Sequence, residues 1–138
     1  MTMLTPVLAL VVWTLIVWIW MYATRLPAMT KAGIKPNDAI HPGSLSGLPA
    51  SVRVVADNYN HLHEQPTIFY ALAIYSHLVG VSDQFNVSLA WGYVALRVAH
   101  SIAQIVLKQV PVRFTFFAFG SIVLMIIAAR DVLALFAG

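Results

Sequence analysis

An all-α integral membrane protein, built as a bundle of four transmembrane helices, is the fold class this sequence predicts. Three observations carry the prediction. Apolar residues make up 60% of the 138 and charged residues only 9%, where soluble domains hold roughly 45–50% and about 25%. The mean hydropathy is +0.81, and a soluble chain of this size has too little interior to hide that much apolar surface. The apolar residues also fall into four long runs, each near the roughly 20 residues that cross a bilayer. A soluble globular domain and a disordered chain are thereby excluded. A nucleic-acid binder is excluded too: eight Lys+Arg stand against five Asp+Glu, and they are spread out with no basic patch. There is no cysteine, so a disulfide framework, a thiolate nucleophile and a Cys-type zinc site are ruled out. Residues 1–138 read as a single domain.

The first run, Leu4 to Thr24, carries no charge. It lacks a basic leading segment and an A-x-A-like cleavage site, so it is expected to be a retained helix and not a signal peptide. The second run extends from Gln65 to Ser82. The third, Gln84 to Leu107, is interrupted only by Arg97, and the fourth extends from Phe114 to Ala129. Arg25 to Ser51 is expected to be a loop, because Pro27, Gly33, Pro36, Pro42, Gly43, Gly47 and Pro49 break helices. Ser51 is the expected N-cap of the next helix. The turns Gly80–Asp83 and Lys108–Val112 are short, so the last three helices should be antiparallel neighbours in sequence order.

Orientation follows from the basic residues. Arg25, Lys31, Lys35, Arg53, Lys108 and Arg113 fall on one side, and only Arg130 on the other. Loops 1 and 3 are therefore expected in the cytoplasm and both termini outside it. Trp18, Trp20, Tyr22 and Trp91 suit the membrane interfaces. Trp13 reads as a mid-span aromatic, packed or facing lipid.

The polar residues carry the functional signal. No Pro or Gly interrupts Ser51 to Glu64, so the helix should start well before its apolar run. On such a helix Asp57, His61 and Glu64 share a face at i, i+4 and i+7. From spacing alone they read equally as a polar pocket or as a solvated extension. Pro66 should kink the helix by removing a hydrogen bond to Leu62. Arg97 lies deep in the third run, where a charge costs several kcal/mol and calls for a partner or a wet cavity. His100 and Gln104 share its face, and Glu64 is the expected counter-ion. The set reads either as a packing bridge or as a cavity for a charged small molecule. Arg113, after Pro111, reads as an interfacial anchor on spacing alone, and Arg130–Asp131 as a solvated pair. His41 and His77 carry no argued role. His61 and His63 point to different helix faces, so no metal site is expected.

The segment Asp57-Asn58-Tyr59-Asn60-His61-Leu62-His63-Glu64-Gln65-Pro66, followed by Ile68-Phe69-Tyr70, resembles the second-helix signature of the MAPEG family, the membrane-associated proteins of eicosanoid and glutathione metabolism. Arg97-Val98-Ala99-His100 on the third helix is similar as well, as is Pro111-Val112-Arg113 before the fourth. The resemblance implies a bacterial-type member in the inner membrane, a four-helix bundle assembled as a homotrimer. It also implies a glutathione site between subunits near the cytoplasmic side, with a lipophilic small molecule as the second substrate. Glutathione has two carboxylates and one amine, so its site needs cations and an acid. The resemblance gives Arg25, His61, Glu64, Arg97 and His100 to glutathione and its cavity, and Arg113 to stabilisation of the thiolate.

The sequence departs from the family pattern at several positions. His61 stands where Asn is common, Asn60 where Arg is often found, and Gln104 where Tyr is often found. Phe114 and Phe117 stand where a Ser and a Tyr are often seen. The implied activity is a glutathione transferase or peroxidase acting on lipophilic electrophiles. The alternative is a non-catalytic scaffold or accessory subunit, or a protein that binds a lipid or quinone headgroup. A transporter is disfavoured by the absence of a paired repeat.

Overall fold

A computed structural model describes residues 2–34 and 47–137. The described residues form five α-helices and no strand: α1 (Leu4–Ala32), α2 (Ala50–His61), α3 (Gln65–Leu78), α4 (Gln84–Ile102) and α5 (Val110–Ala137). A π-helical turn, Ala103–Leu107, extends α4. Three segments are long and apolar enough to cross a membrane: α1, α4 with its π-turn, and α5. The chain is thus an all-helical membrane protein, as its composition requires. Lys35 and His41, with the rest of 35–46, lie outside the described residues.

The first helix overruns its expected end by eight residues. It passes through Arg25 and Pro27 to Ala32, so Arg25 and Lys31 belong to a helix and not to loop 1. A helix of 29 residues is about 44 Å long at 1.5 Å per residue, well over the roughly 30 Å hydrocarbon core. Pro27 therefore does not have to end it. The end comes at Gly33, whose φ of 75° is left-handed. Gly33 N–H donates to Thr30 O and Ile34 N–H to Met29 O, a Schellman closure that a side chain at Gly33 would strain. Gly80 (φ 82°) closes α3 in the same way, with Gly80 N–H on His77 O and Val81 N–H on Ser76 O.

The expected single second helix is instead two. α2 begins at Ala50, one residue before the expected cap Ser51, and stops at His61. Leu62 to Glu64 form a turn, and α3 starts at Gln65 with Pro66 in its first turn. Pro66 has no N–H for the Leu62 carbonyl, but at a helix start that N–H is not needed. A break removes the conflict that a kink would only soften.

The core is a stripe from each long helix. Leu10, Thr14, Val17 and Met21 of α1 are buried at i, i+4, i+7 and i+11, one face of a helix. Leu10 and Val17 meet Phe69 and Ala73 of α3, Ala90 and Tyr93 of α4, and Leu124 and Ile127 of α5, while Met21 joins Val55 and Ala56 of α2 and Ile105 of the π-turn. Outward faces are apolar: Leu8, Ile19, Phe114, Met125 and Leu133 are all more than half exposed. That is the surface of a protein whose solvent is hydrocarbon. Trp13 packs inward, its indole N–H donating to Ser101 Oγ at 3.0 Å.

Candidate functional site

The break between α2 and α3 shapes the most polar buried region. A helix end leaves its last carbonyls without intrahelical partners. At the end of α2, the His61 carbonyl accepts from the Glu64 N–H and from Arg97 Nη2 at 3.3 Å. Arg97 is 1% exposed. Its partner is this backbone oxygen and not Glu64, the counter-ion expected from sequence. Outside the regular helix, Glu64 turns outward. Its side chain is 66% exposed and pairs with His61 Nδ1 at 3.3 Å. Asp57 is exposed, so the expected Asp57–His61–Glu64 face is divided between helix and turn.

The α4 face is longer than the sequence reading made it. Tyr93, Arg97, His100 and Gln104 are all buried at i, i+4, i+7 and i+11. His100 faces the turn, its ring 6.1 Å from that of His61 and 6.5 Å from that of Phe117 on α5. Gln104 sits in the π-turn, where Ala103, Gln104 and Ile105 are consecutively buried. The turn is closed by an i→i+5 bond, Lys108 N–H donating to Ala103 O at 2.7 Å, the wider spacing of a π-helix. Gln104 Oε1 then accepts from Asn58 Nδ2 at 2.9 Å, tying α4 to α2.

Three buried polar atoms of this cluster have no partner among the described residues: Arg97 Nε, His100 Nδ1 and Asn58 Oδ1. Buried polar atoms are nearly always hydrogen-bonded. Two facing elements therefore present nitrogens and an oxygen suited to a polar ligand. Below them, Tyr93 donates from its hydroxyl to Gln65 Oε1 at 3.1 Å, and Gln65 Nε2 donates to Ser121 Oγ at 2.6 Å. This chain crosses α4, α3 and α5 and forms a polar floor.

Of the residues singled out by sequence, His61, Arg97 and His100 come together, with Glu64 at their rim. Arg113 is half-buried in the first turn of α5 and makes no side-chain hydrogen bond or ion pair among the described residues. Arg25 is apart from the cluster, its guanidinium 6.0 Å from the Tyr22 ring on its own helix. No three His, Asp or Glu side chains among the described residues converge as metal ligands. Asn58, Gln65 and Tyr93 were missed. The signals for Asn58 and Tyr93 were their spacing: three residues before His61 and four before Arg97.

The Arg130–Asp131 pair is not solvated. Arg130 Nε donates to Asn86 Oδ1 and Nη2 to Asp83 Oδ2, both at 2.6 Å, with its guanidinium 4.5 Å from the Phe85 ring centroid. Asp131 is 4% exposed and bonded to Ser76 at 2.6 Å. Consecutive helical residues diverge by about 100°, so the two point into different contacts.

A comparison with protein-family models finds one described as the MAPEG family, matching residues 3–133. No curated protein and no solved structure matches.

Proposed function

The chain belongs to the MAPEG family, which includes glutathione transferases and peroxidases, and from that premise we propose that it binds glutathione against α2 and α4 and either adds its sulfur to lipophilic electrophiles or reduces lipophilic peroxides to alcohol and water as two glutathiones become the disulfide. The observation that carries the reading is the trio of buried, unpartnered atoms, Arg97 Nε, His100 Nδ1 and Asn58 Oδ1. They match a ligand with carboxylates, amides and an amine. Arg97 has further guanidinium donors for a carboxylate, Glu64 takes the amine, and His61 and His100 line the cavity. Arg25 supplies a second cation from a neighbouring copy. The unit is residues 1–138 as one domain, with α2 and α3 jointly making a fourth crossing. Three such bundles form a homotrimer around the sites, with loops 1 and 3 cytoplasmic and the termini outside, in a bacterial inner membrane.

Bound glutathione supplies a thiol whose pKa is ordinarily near 8.5. Arg113 stands at the start of α5 without a competing side-chain partner. Its positive charge and the helix N-terminus both favour an anion there. Arg113 would hold the thiolate while the electrophile arrives from the apolar side, past Phe114 and Phe117.

One observation favours the non-catalytic alternative. Gln104, where a tyrosine hydroxyl is usual in glutathione-binding members, is engaged by Asn58, and Phe114 and Phe117 add no hydroxyl. In that reading the same polar atoms bind a lipid or quinone headgroup. Calorimetric titration of the purified, detergent-solubilised protein with glutathione separates the two. Saturable binding, with a thiolate absorbance lost in Arg113→Leu, is expected. No glutathione binding by wild type would overturn the enzyme reading.

A further inference from the structure

We propose that Asp131 is a proton-binding site, held as the neutral carboxylic acid, which latches the end of α5 to the end of α3. The inference does not depend on glutathione, because Asp131 lies far from the candidate site. It is 18 residues beyond Arg113 on the same helix, about 27 Å along the axis.

Ser76 Oγ is 2.8 Å from the Leu72 carbonyl oxygen and 2.6 Å from Asp131 Oδ2. A hydroxyl has one proton. Leu72 O can only accept, and a hydroxyl that gives its hydrogen wholly to Leu72 O is left to receive from Asp131. The single hydroxyl hydrogen could serve both acceptors only as a shared, three-centre bond; each contact has a hydrogen of its own when Oδ2 carries one and donates it to Ser76 Oγ.

The surroundings agree. Ser76 is fully buried, and Asp131 nearly so. Asp131 Oδ1 is buried with no partner among the described residues. An ionised carboxylate there would have at most one donor for two oxygens, and burying such a charge costs several kcal/mol. A neutral acid leaves only a carbonyl-like oxygen unpaired. Among the described residues no cation pairs with Asp131. Arg130, on the same helix, is committed to Asn86 and Asp83, so Asp83 at the start of α4 already balances its charge. On α3 the facing group is Ser76, and the neighbouring His77 has its Nδ1 buried with no partner among the described residues.

The acid joins α3 to α5 at their far ends, as Gln65 and Ser121 join them at the near end. Loss of the proton in alkali would set a bare carboxylate against the buried hydroxyl. The last two turns of α5, after Arg130, would then separate from α3. The latch is thus a pH-sensitive device on the side of the bundle opposite the candidate site.

Infrared spectroscopy of the full-length protein in lipid vesicles tests this directly. Asp38, Asp57, Glu64 and Asp83 are all retained in Asp131→Asn, so a band from any of them would survive that change. Wild type at pH 7 should show a carboxylic-acid carbonyl band that shifts in D2O. The band should be absent from Asp131→Asn, shifted in Ser76→Ala, and lost from wild type as the pH is raised. In hydrogen exchange, residues 132–137 should lose protection over the same pH range in wild type. They should keep it in Asp131→Asn, whose amide N–H can donate to Ser76 at any pH. A wild-type spectrum without the acid band at pH 7, or a band that survives in both variants, overturns the proposal. If one variant fails to fold, the other still assigns the band, by its loss in Asp131→Asn or its shift in Ser76→Ala.

Discussion

The guanidinium of Arg97 donates to the backbone carbonyl of His61 at 3.3 Å, while the Glu64 carboxylate, three residues on, turns to the His61 ring. A deeply buried cation is thus held by the open end of a helix, whose last carbonyls carry partial negative charge. Arg97 and Glu64 should therefore behave almost independently. In a double-mutant cycle with Arg97→Leu and Glu64→Gln, the coupling should stay within about 0.5 kcal/mol. Arg97→Leu alone should cost roughly 1–3 kcal/mol, the range for a lost charged hydrogen bond. Thermal unfolding in one detergent measures both, and coupling well above 1 kcal/mol would restore the ion pair.

Asn58 and Gln104 should be strongly coupled. Gln104→Leu leaves both polar atoms of the Asn58 amide buried without partners, at a cost of about 1–3 kcal/mol. Replacing both with apolar residues should cost less than the sum of the two single changes. Strict additivity in the same unfolding assay would show that the contact adds no stability.

Gly120 has little room for a methyl group. A Cβ there would sit 3.3 Å from Tyr93 Cε1. Tyr93 cannot readily yield, being stacked on Phe69 at 4.7 Å and tethered to Gln65. Helix propensity favours Ala over Gly by about 1 kcal/mol, whereas overpacking costs roughly 1–3 kcal/mol. Gly120→Ala should therefore be mildly destabilising, and less so in a Tyr93→Phe background. A stabilised Gly120→Ala protein would mean that the Tyr93 ring moves freely.

Arg130 should not be replaceable by lysine. Its fork makes two bonds in different directions, to Asn86 and Asp83, which a single ammonium does not reproduce. Arg130→Lys should lower stability by about 1 kcal/mol. Asp83→Ala should cost at least as much, because Asp83 Oδ1 also caps α4 by accepting from the Asn86 N–H, a bond worth about 1 kcal/mol. Equal stability of Arg130→Lys and wild type would contradict the two-bond geometry.

Assembly and orientation are testable together. Reporter fusions at Gly138 should read as non-cytoplasmic and fusions within loop 1 as cytoplasmic, following the six-to-one distribution of basic residues. Native mass spectrometry in mild detergent should show a trimer. A cytoplasmic C-terminus would refute the orientation, and a clean monomer would remove the site between subunits.

Much of the fold was legible in the chain itself. Hydrocarbon satisfies no backbone polar group, so long apolar runs must be helical. This local constraint fixed α1, α4 and α5 and their membrane character. The motifs around His61, Arg97 and Arg113 were enough to indicate the family. Helix ends were less legible where two local rules competed. Pro27 is tolerated within α1, which runs on to the left-handed Gly33, whereas Pro66 begins a helix because α2 has already ended at His61. The partners of the polar residues were decided only in three dimensions. Arg97 meets a carbonyl that exists as an acceptor because α2 ends there. Gln104 reaches Asn58 from within a π-turn, and Asp131 meets Ser76 because α3 and α5 run side by side. Each depends on a register between segments distant in sequence, and spacing along a single helix carries no record of that.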